Sequence, residues 1–154
     1  MAERSAAAQI EAAPDTLESL VGYNLKRAYI LFQADFRVAL GPDDLSTRSF
    51  AALANVVETP NITQSALARR LGIERSGLVA VVDELEQRGY LWRTTVPGDR
   101  RVQALVPQPA GVKAYHEALA KIQEHEAQLL SGLDQQEQAD LLGLLKKLRA
   151  SLAE

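Results

Sequence analysis

The segment from Thr63 to Arg101 constrains the fold of this 154-residue chain more than any other. Its sequence is TQSALARRLGIERSGLVAVVDELEQRGYLWRTTVPGDRR. A hydroxyl at Thr63 can cap a short helix, in which leucines point inward, and Gly72 is suited to the turn that follows. Leucine and valine then recur at helical spacing from Arg75 to about Gln87, which predicts a second helix. The order is that of a helix-turn-helix.

A hairpin is predicted directly after the second helix. Tyr90–Val96 and Val102–Val106 are rich in β-branched and aromatic residues, and Pro97-Gly98-Asp99 separates them as a turn. Arg100 and Arg101 lie at this turn, so the hairpin would form a basic wing.

Helices are predicted on both sides of this module, because apolar residues recur at spacings of three and four. The first carries Leu17, Val21, Leu25, Ala28, Phe32, Phe36 and Ala39 and ends near Gly41. The second begins after a cap at Ser46 and would bury Phe50, Leu53, Ala54 and Val57. After the wing, Pro109 opens a long helix bearing Val112, Tyr115, Leu119, Ile122 and Leu129. Asp134 and Glu137 form a capping pattern for the last helix, which is lined by Leu141, Leu145, Leu148 and Leu152.

The predicted fold is mainly α with a small β-hairpin wing. It is a winged helix-turn-helix at 45–107, with helices for dimerisation at 15–40 and 109–154 and a flexible arm at 1–14. The first and last helices expose apolar stripes that a single chain has little to cover. Because burial of apolar surface contributes roughly 25 cal/mol per Å², we expect a homodimer.

Composition excludes several classes of protein. The chain has no cysteine, so disulfides and thiolate metal sites are absent. His116 and His125 are nine residues apart on one helix and face opposite sides, so no metal site and no cofactor are expected. Catalytic motifs are missing, and an enzyme is not expected. The sequence contains no bilayer-spanning run and no signal-peptide core, which predicts a cytoplasmic protein with no membrane partner.

The distribution of charge along the chain indicates a protein that binds nucleic acid. Thr63–Arg101 holds seven arginines against five carboxylates, a balance of +2 in a chain whose net charge is −3. A locally basic module in an acidic chain is typical of a DNA-facing surface joined to other structure.

The second helix of the module has the character of a recognition helix for double-stranded DNA. Its predicted outer face carries Arg75, Ser76, Gly77, Val79 and Ala80, which are mostly small and fit a major groove about 12 Å wide. Arg75 can pair with guanine, Ser76 can reach a base edge or a phosphate, and Val79 and Ala80 can touch a thymine methyl. At the wing, Arg100 and Arg101 can enter the minor groove, and Asp99 can orient a guanidinium, from Arg101 or Arg93.

These residues resemble the winged helix-turn-helix of MarR-family transcriptional regulators. The strongest match is LE-x-R-G-Y-L-x-R (Leu85 to Arg93) followed by D-x-R (Asp99 to Arg101), and the resemblance extends over about Leu17 to Leu152. It implies an obligate homodimer that binds a palindromic operator and is commonly released by a small molecule. It also implies that Arg101 enters the minor groove, held by Asp99.

The sequence departs from the family at Pro107-Gln108, where the family usually has Leu-Thr. Because proline has no N–H to donate to a sheet, we expect the second wing strand to end early. We also expect a weaker cap on the helix that follows.

The resemblance places effector binding where the dimer helices meet the DNA-binding lobe. The matching residues here are Tyr23, Arg27, Phe32, Arg48 and Phe50, with Asn24, Lys26 and Asn55 nearby. Arginine beside aromatic rings suits an aromatic carboxylate or an aromatic acyl-CoA thioester. Each aromatic residue also fits core packing, and each basic residue also fits a solvated surface.

The leading hypothesis is a homodimeric repressor that is released from its operator by a small anionic or aromatic ligand. One alternative is a DNA-binding protein of the same fold that responds to no effector. Another is a winged helix used only for protein contacts, although Arg100 and Arg101 have no apolar neighbour at the wing tip to anchor such an interface.

Overall fold

The computed structural model describes residues 16–41, 44–96 and 99–151. Within these ranges the order of elements is α1 (Val21–Leu40), α2 (Thr47–Glu58), β1 (Ile62–Thr63), α3 (Gln64–Leu71), α4 (Arg75–Gln87), β2 (Leu91–Val96), β3 (Asp99–Pro107), α5 (Pro109–Leu129) and α6 (Gln135–Ser151). A mainly helical chain with a winged helix-turn-helix is therefore confirmed. The predicted arm at 1–14 and Leu152 lie outside the described residues. No helix in the described part of the chain is long and apolar enough to cross a membrane.

The chain divides into two compact units, residues 1–34 and 35–154, and the boundary falls within α1. The first unit contributes the N-terminal two-thirds of α1. The second unit contains the end of α1 and every later element, and its buried side chains form one hydrophobic core.

Polar side chains begin the helices at the positions predicted from the sequence. Ser46 Oγ accepts a hydrogen bond from Ser49 N at 3.0 Å at the start of α2, and Thr63 Oγ1 accepts from Ala66 N at 3.2 Å at the start of α3. Asp134 and Glu137 cap α6 reciprocally, with backbone-to-carboxylate distances of 2.8 and 2.9 Å. Each cap satisfies a backbone N–H that the helix itself leaves without a partner.

The sheet has three antiparallel strands in the order β1-β3-β2, so the wing hairpin carries one more strand than the sequence predicted. Ile62 pairs with Leu105, and Thr63 pairs with Ala104. A strand of two residues is too short to produce an alternating pattern, which explains why the sequence did not reveal it.

The expectation that β3 ends before Pro107 is wrong. Pro107 pairs with Leu91 as the last residue of β3. A proline is tolerated there because the strand ends at this residue, and the backbone N–H of Gln108 takes over by donating to Tyr90 O at 2.9 Å. The weaker cap is confirmed, since the Gln108 side chain makes no capping hydrogen bond to α5.

The core of the second unit lies between α2, α3, α4 and the sheet. Its largest fully buried side chains are Leu53, Leu67, Leu78, Leu85, Leu91 and Leu105. The buried face of α2 differs from the predicted one. Ser49, Ala52, Leu53 and Val56 are buried, whereas Phe50, Ala54 and Val57 are half-buried. The face is broader than a single stripe because α2 packs against α3, α4, α5 and β3 at once.

A close backbone contact joins the wing to α5. A Cβ atom at Gly111 would lie 2.0 Å from Tyr90 O, so only glycine fits where the first turn of α5 passes the start of β2. Together with the hydrogen bond from Gln108, this contact fixes the point at which α5 leaves the DNA-binding lobe.

Candidate nucleic-acid interface and effector region

The outer face of α4 is exposed and lined by small side chains. Leu78, Val82 and Leu85 are fully buried, as predicted. The residues proposed to face DNA are all exposed: Arg75, Ser76, Gly77, Val79 and Ala80. Arg75 is the one long charged side chain among these five. The surface can therefore approach a base edge closely, with one guanidinium available for paired hydrogen bonds.

One side of α4 is tied to the wing through Arg93. The Arg93 guanidinium contacts Asp83 with one nitrogen and Glu86 with the other, and Arg93 N donates to Glu86 Oε1 at 3.1 Å. This fork-like arrangement suits arginine, whose planar donors can serve two acceptors at once. Arg93 was one of the two arginines, with Arg101, that Asp99 was expected to orient. The partners shown for Arg93 are on α4 instead, and the side chain of Asp99 lies outside what the structure describes.

Ion pairs reduce the number of arginines that give this module its positive charge. Arg93 is compensated by two carboxylates, and Arg88 pairs with Glu84 at 3.3 Å, so neither contributes a free positive charge to the surface. Arg69 and Arg70, in the last turn of α3, remain exposed, and Arg70 Nη1 donates to Thr59 Oγ1 at 2.9 Å. The positive surface of the module therefore depends on fewer arginines than the sequence count implied.

The side of α4 that carries Glu84 is tied to α2 through Ser49. Ser49 is completely buried, and its hydroxyl donates to Glu84 Oε2 at 2.8 Å. Sequence reasoning did not identify this contact. Thirty-five positions separate the two residues along the chain, and the only local signal was a second serine three residues after the Ser46 cap.

The wing tip is described only by its backbone. Asp99 begins β3 and pairs with Val96, next to an irregularity in register between Thr95 and Val96. The backbone of Arg100 and Arg101 continues β3. The side chains of these three residues lie outside the described part of the chain, so the predicted roles of Asp99, Arg100 and Arg101 stay predictions.

In the first unit, two of the predicted effector residues contact each other. Arg27 Nη1 donates to the Tyr23 hydroxyl at 3.2 Å, and its guanidinium carbon lies 5.8 Å from the centre of the Tyr23 ring. This is a cation–π pair one turn apart on α1. Phe32 is half-buried further along the same helix.

In the second unit, Phe50 lies in a row of aromatic rings. Its ring meets Phe36 edge-on at 5.8 Å and stacks on Tyr115 at 6.0 Å. The Tyr115 hydroxyl donates to Glu58 Oε1 at 3.0 Å. Burial raises the pKa of Tyr115, and the hydrogen bond to Glu58 and the charge of that carboxylate raise it further. Arg48, the remaining predicted effector residue, is exposed on the first turn of α2.

The two histidines have separate surroundings. His125 Nδ1 lies 3.2 Å from Asp35 Oδ1, whereas the ring of His116 lies 5.0 Å from that of Tyr115. Among the described residues, no three histidine or carboxylate side chains are grouped as metal ligands would be.

The exposed helix, the three-stranded sheet and the flanking helices together define a winged helix-turn-helix transcriptional regulator. Residues 43–102 match the model of the MarR family. A Thauera aromatica protein named as a transcriptional regulatory protein for the hcr operon is 31% identical over 129 residues, which cover 83% of this chain and 78% of that protein. The chain belongs to the MarR family of transcriptional regulators, and it is a regulator, not an enzyme, as predicted.

Two solved structures of a transcriptional repressor, CouR, are similar over almost their full length. The structure bound to a 23-mer DNA duplex is 32% identical, covers 90% of this chain and 99% of its own, and has a TM-score of 0.83. The structure bound to p-coumaroyl-CoA is 30% identical, covers 90% of this chain and 98% of its own, and has a TM-score of 0.76.

Proposed function

We propose that the protein is a homodimeric repressor that binds a palindromic operator and is released by a small anionic or aromatic ligand. The observation that carries this proposal is the outer face of α4, where Arg75 stands among exposed small side chains beside the wing. Similarity to a repressor solved with DNA and with an aromatic acyl-CoA supports both halves of the proposal. As a regulator that acts on DNA, it would work in the cytoplasm.

Dimerisation is supported by the apolar surface of the terminal helices. No residue of α6, over Gln135–Ser151, is buried in the single chain. Four of its leucines are 38 to 65% exposed: Leu141, Leu142, Leu144 and Leu148. In α1, Val21, Tyr29, Leu31 and Val38 are 59 to 72% exposed. Leucine and valine in such numbers are stable in water only when a second surface covers them. We assign the helices at 15–40 and 109–154 to this contact and 45–107 to DNA binding, preceded by an arm at 1–14.

For DNA binding, we assign base contacts to Arg75, Ser76, Gly77, Val79 and Ala80 in a major groove. Arg100 and Arg101 of the wing would enter the adjacent minor groove, with Asp99 orienting Arg101. Two protomers would then read half-sites whose centres lie about one helical turn apart.

For the effector, we assign contacts to Tyr23, Arg27, Phe32, Arg48 and Phe50. Arg27 and Arg48 are exposed cations that could bind a carboxylate or a phosphate of a thioester. The half-buried ring of Phe50 offers an aromatic face. An aromatic acid or its acyl-CoA thioester combines the two groups that these side chains recognise.

Selection of bound sequences from a random duplex library, followed by titration of the selected duplex, tests the DNA half of the proposal. An inverted repeat bound by two protomers supports it, and recovery of no preferred sequence contradicts it. For the effector half, p-coumarate, p-coumaroyl-CoA and coenzyme A are added to the preformed complex. Release by one of the first two at concentrations where coenzyme A has no effect supports an aromatic effector.

A further inference from the structure

Ser49 is the one fully buried polar side chain that connects α2 to α4 among the described residues. Its hydroxyl donates to Glu84 Oε2 at 2.8 Å, and the hydroxyl of Ser46 lies 2.8 Å from it. Because the proton of Ser49 goes to the Glu84 carboxylate, the Ser46 hydroxyl must donate to Ser49. Ser46 Oγ in turn accepts from Ser49 N at 3.0 Å. The result is a directed chain of hydrogen bonds from the cap of α2 to the last turn of α4.

Glu84 lies on the side of α4 opposite Arg75. Nine residues separate them, and at about 100° per residue the two side chains point about 180° apart. A bond that holds Glu84 therefore sets the direction in which Arg75 points. The buried side chains of Leu78 and Val82 hold α4 in the core, and the hydrogen bond to Glu84 adds a directional restraint to them.

A second tie holds α4 from another side. Glu86 follows Glu84 by two residues, about 200° around the helix, and pairs with Arg93 of β2. Glu84 is held by α2 and Glu86 by the wing, so rotation of α4 about its own axis strains one tie or the other.

We propose that Ser49 is a positioning residue for sequence-specific DNA recognition, and that it acts through Glu84 by fixing the rotation of α4. This role rests on the proposed function, in which α4 reads base edges. Base contacts depend on the direction of each side chain, whereas contacts to phosphate depend mainly on charge. Loss of the Ser49 hydroxyl should therefore weaken binding to the preferred sequence more than binding to other DNA.

The test measures the ratio of affinities for the duplex selected by the wild-type protein and for a scrambled duplex of equal length. Ser49→Ala should lower this ratio by about tenfold, since one charge-assisted hydrogen bond no longer holds the helix. Ala52→Gly is the matched control. Ala52 is equally buried on the same helix but is not part of the chain of hydroxyls, and its replacement also destabilises the protein. We expect Ala52→Gly to lose as much thermal stability as Ser49→Ala but to keep the affinity ratio within about twofold of the wild-type value.

Glu84→Ala and the double variant complete the test. If Ser49 acts through Glu84, Glu84→Ala lowers the ratio as Ser49→Ala does, and the double variant loses no more than either alone. If Ser49→Ala does not fold, Glu84→Ala decides by itself, because the Glu84 side chain is partly exposed. A ratio that stays within about twofold of wild type, or an equal loss in Ala52→Gly, overturns the role of Ser49. Absence of any sequence preference in the wild-type protein would instead contradict the proposed function.

Discussion

The Tyr115 hydroxyl donates a hydrogen bond to Glu58 Oε1 at 3.0 Å and thereby ties α5 to the last turn of α2. Tyr115 is only 8% exposed, and its ring stacks on that of Phe50. Through this one residue, a helix assigned to dimerisation makes both a polar contact and an aromatic contact with α2 of the DNA-binding lobe. Any change in the angle between α5 and the DNA-binding lobe must alter both.

Tyr115→Phe should destabilise the protein by about 1–2 kcal/mol, because it removes a hydrogen bond to a charged group but keeps the ring packing. Urea unfolding at pH 7 measures the change. Tyr23→Phe is the matched control, since Tyr23 also loses a hydrogen bond, in this case on the surface of α1. We expect the control to cost less than about 0.5 kcal/mol. Equal losses in the two variants would contradict a specific contribution from the Glu58 contact.

The raised pKa of Tyr115 predicts a loss of stability at alkaline pH. The folded state holds the phenol proton more tightly than the unfolded state does, first because of burial and then because of Glu58. This contribution is complete below the unfolded pKa of about 10 and is lost as pH rises through the folded pKa. The difference in unfolding free energy between wild type and Tyr115→Phe should therefore shrink above about pH 10. A difference in unfolding free energy that grows above this pH would contradict a raised pKa for Tyr115 in the folded state.

Gly111→Ala should destabilise the protein by about 1–3 kcal/mol, although alanine is the better helix former. The new Cβ would meet Tyr90 O at 2.0 Å, and a backbone atom cannot move away as a side chain would. The control is Gly77→Ala on the exposed face of α4, where the new Cβ would meet no described atom within 4 Å apart from its own turn of helix. Thermal unfolding without DNA should show a gain of up to about 1 kcal/mol for the control. If neither Gly111→Ala nor Gly77→Ala lowers the stability, the backbone contact between Gly111 and Tyr90 is not as tight as described.

Arg93→Gln should weaken DNA binding although Arg93 itself is not expected to touch DNA. The substitution leaves Asp83 and Glu86 without their shared cation, on the helix proposed to face DNA. Two such charges repel DNA most strongly at low salt, where screening is weak. Fluorescence anisotropy at several salt concentrations measures the effect. Arg149→Gln, which changes the net charge equally but lies in the last turn of α6, should leave affinity unchanged.

Local signals in the sequence predicted most of the fold. Ser46, Thr63 and the Asp134–Glu137 pair cap helices at the positions predicted from the sequence, and Gly72 adopts the left-handed backbone that glycine favours. These signals succeed because each depends on residues a few positions apart. The bounds of α4 followed from helical periodicity for the same reason.

The features that the sequence did not predict depend on contacts between residues far apart in the chain. The spacing of residue types along the sequence does not encode such contacts. Pro107 stays in β3 because the strand ends there, and Gly111 is required by the backbone of Tyr90. Arg93 counts toward the basic balance of the sequence, but Asp83 and Glu86 on α4 compensate its charge. The link from Ser49 to Glu84 spans 35 positions, and the serine three residues after the Ser46 cap does not indicate its partner.

The central claim is that α4 reads base edges while the wing contacts the minor groove. Sequence selection and salt titration with wild type, Arg75→Ala and Arg101→Ala test it most directly. Arg75→Ala should relax the base preference at one position in each half-site. Arg101→Ala should keep the selected motif, bind it more weakly, and reduce the salt slope by about 1 per protomer. The claim is contradicted if Arg75→Ala selects the same motif as wild type, or if Arg101→Ala leaves affinity unchanged at every salt concentration.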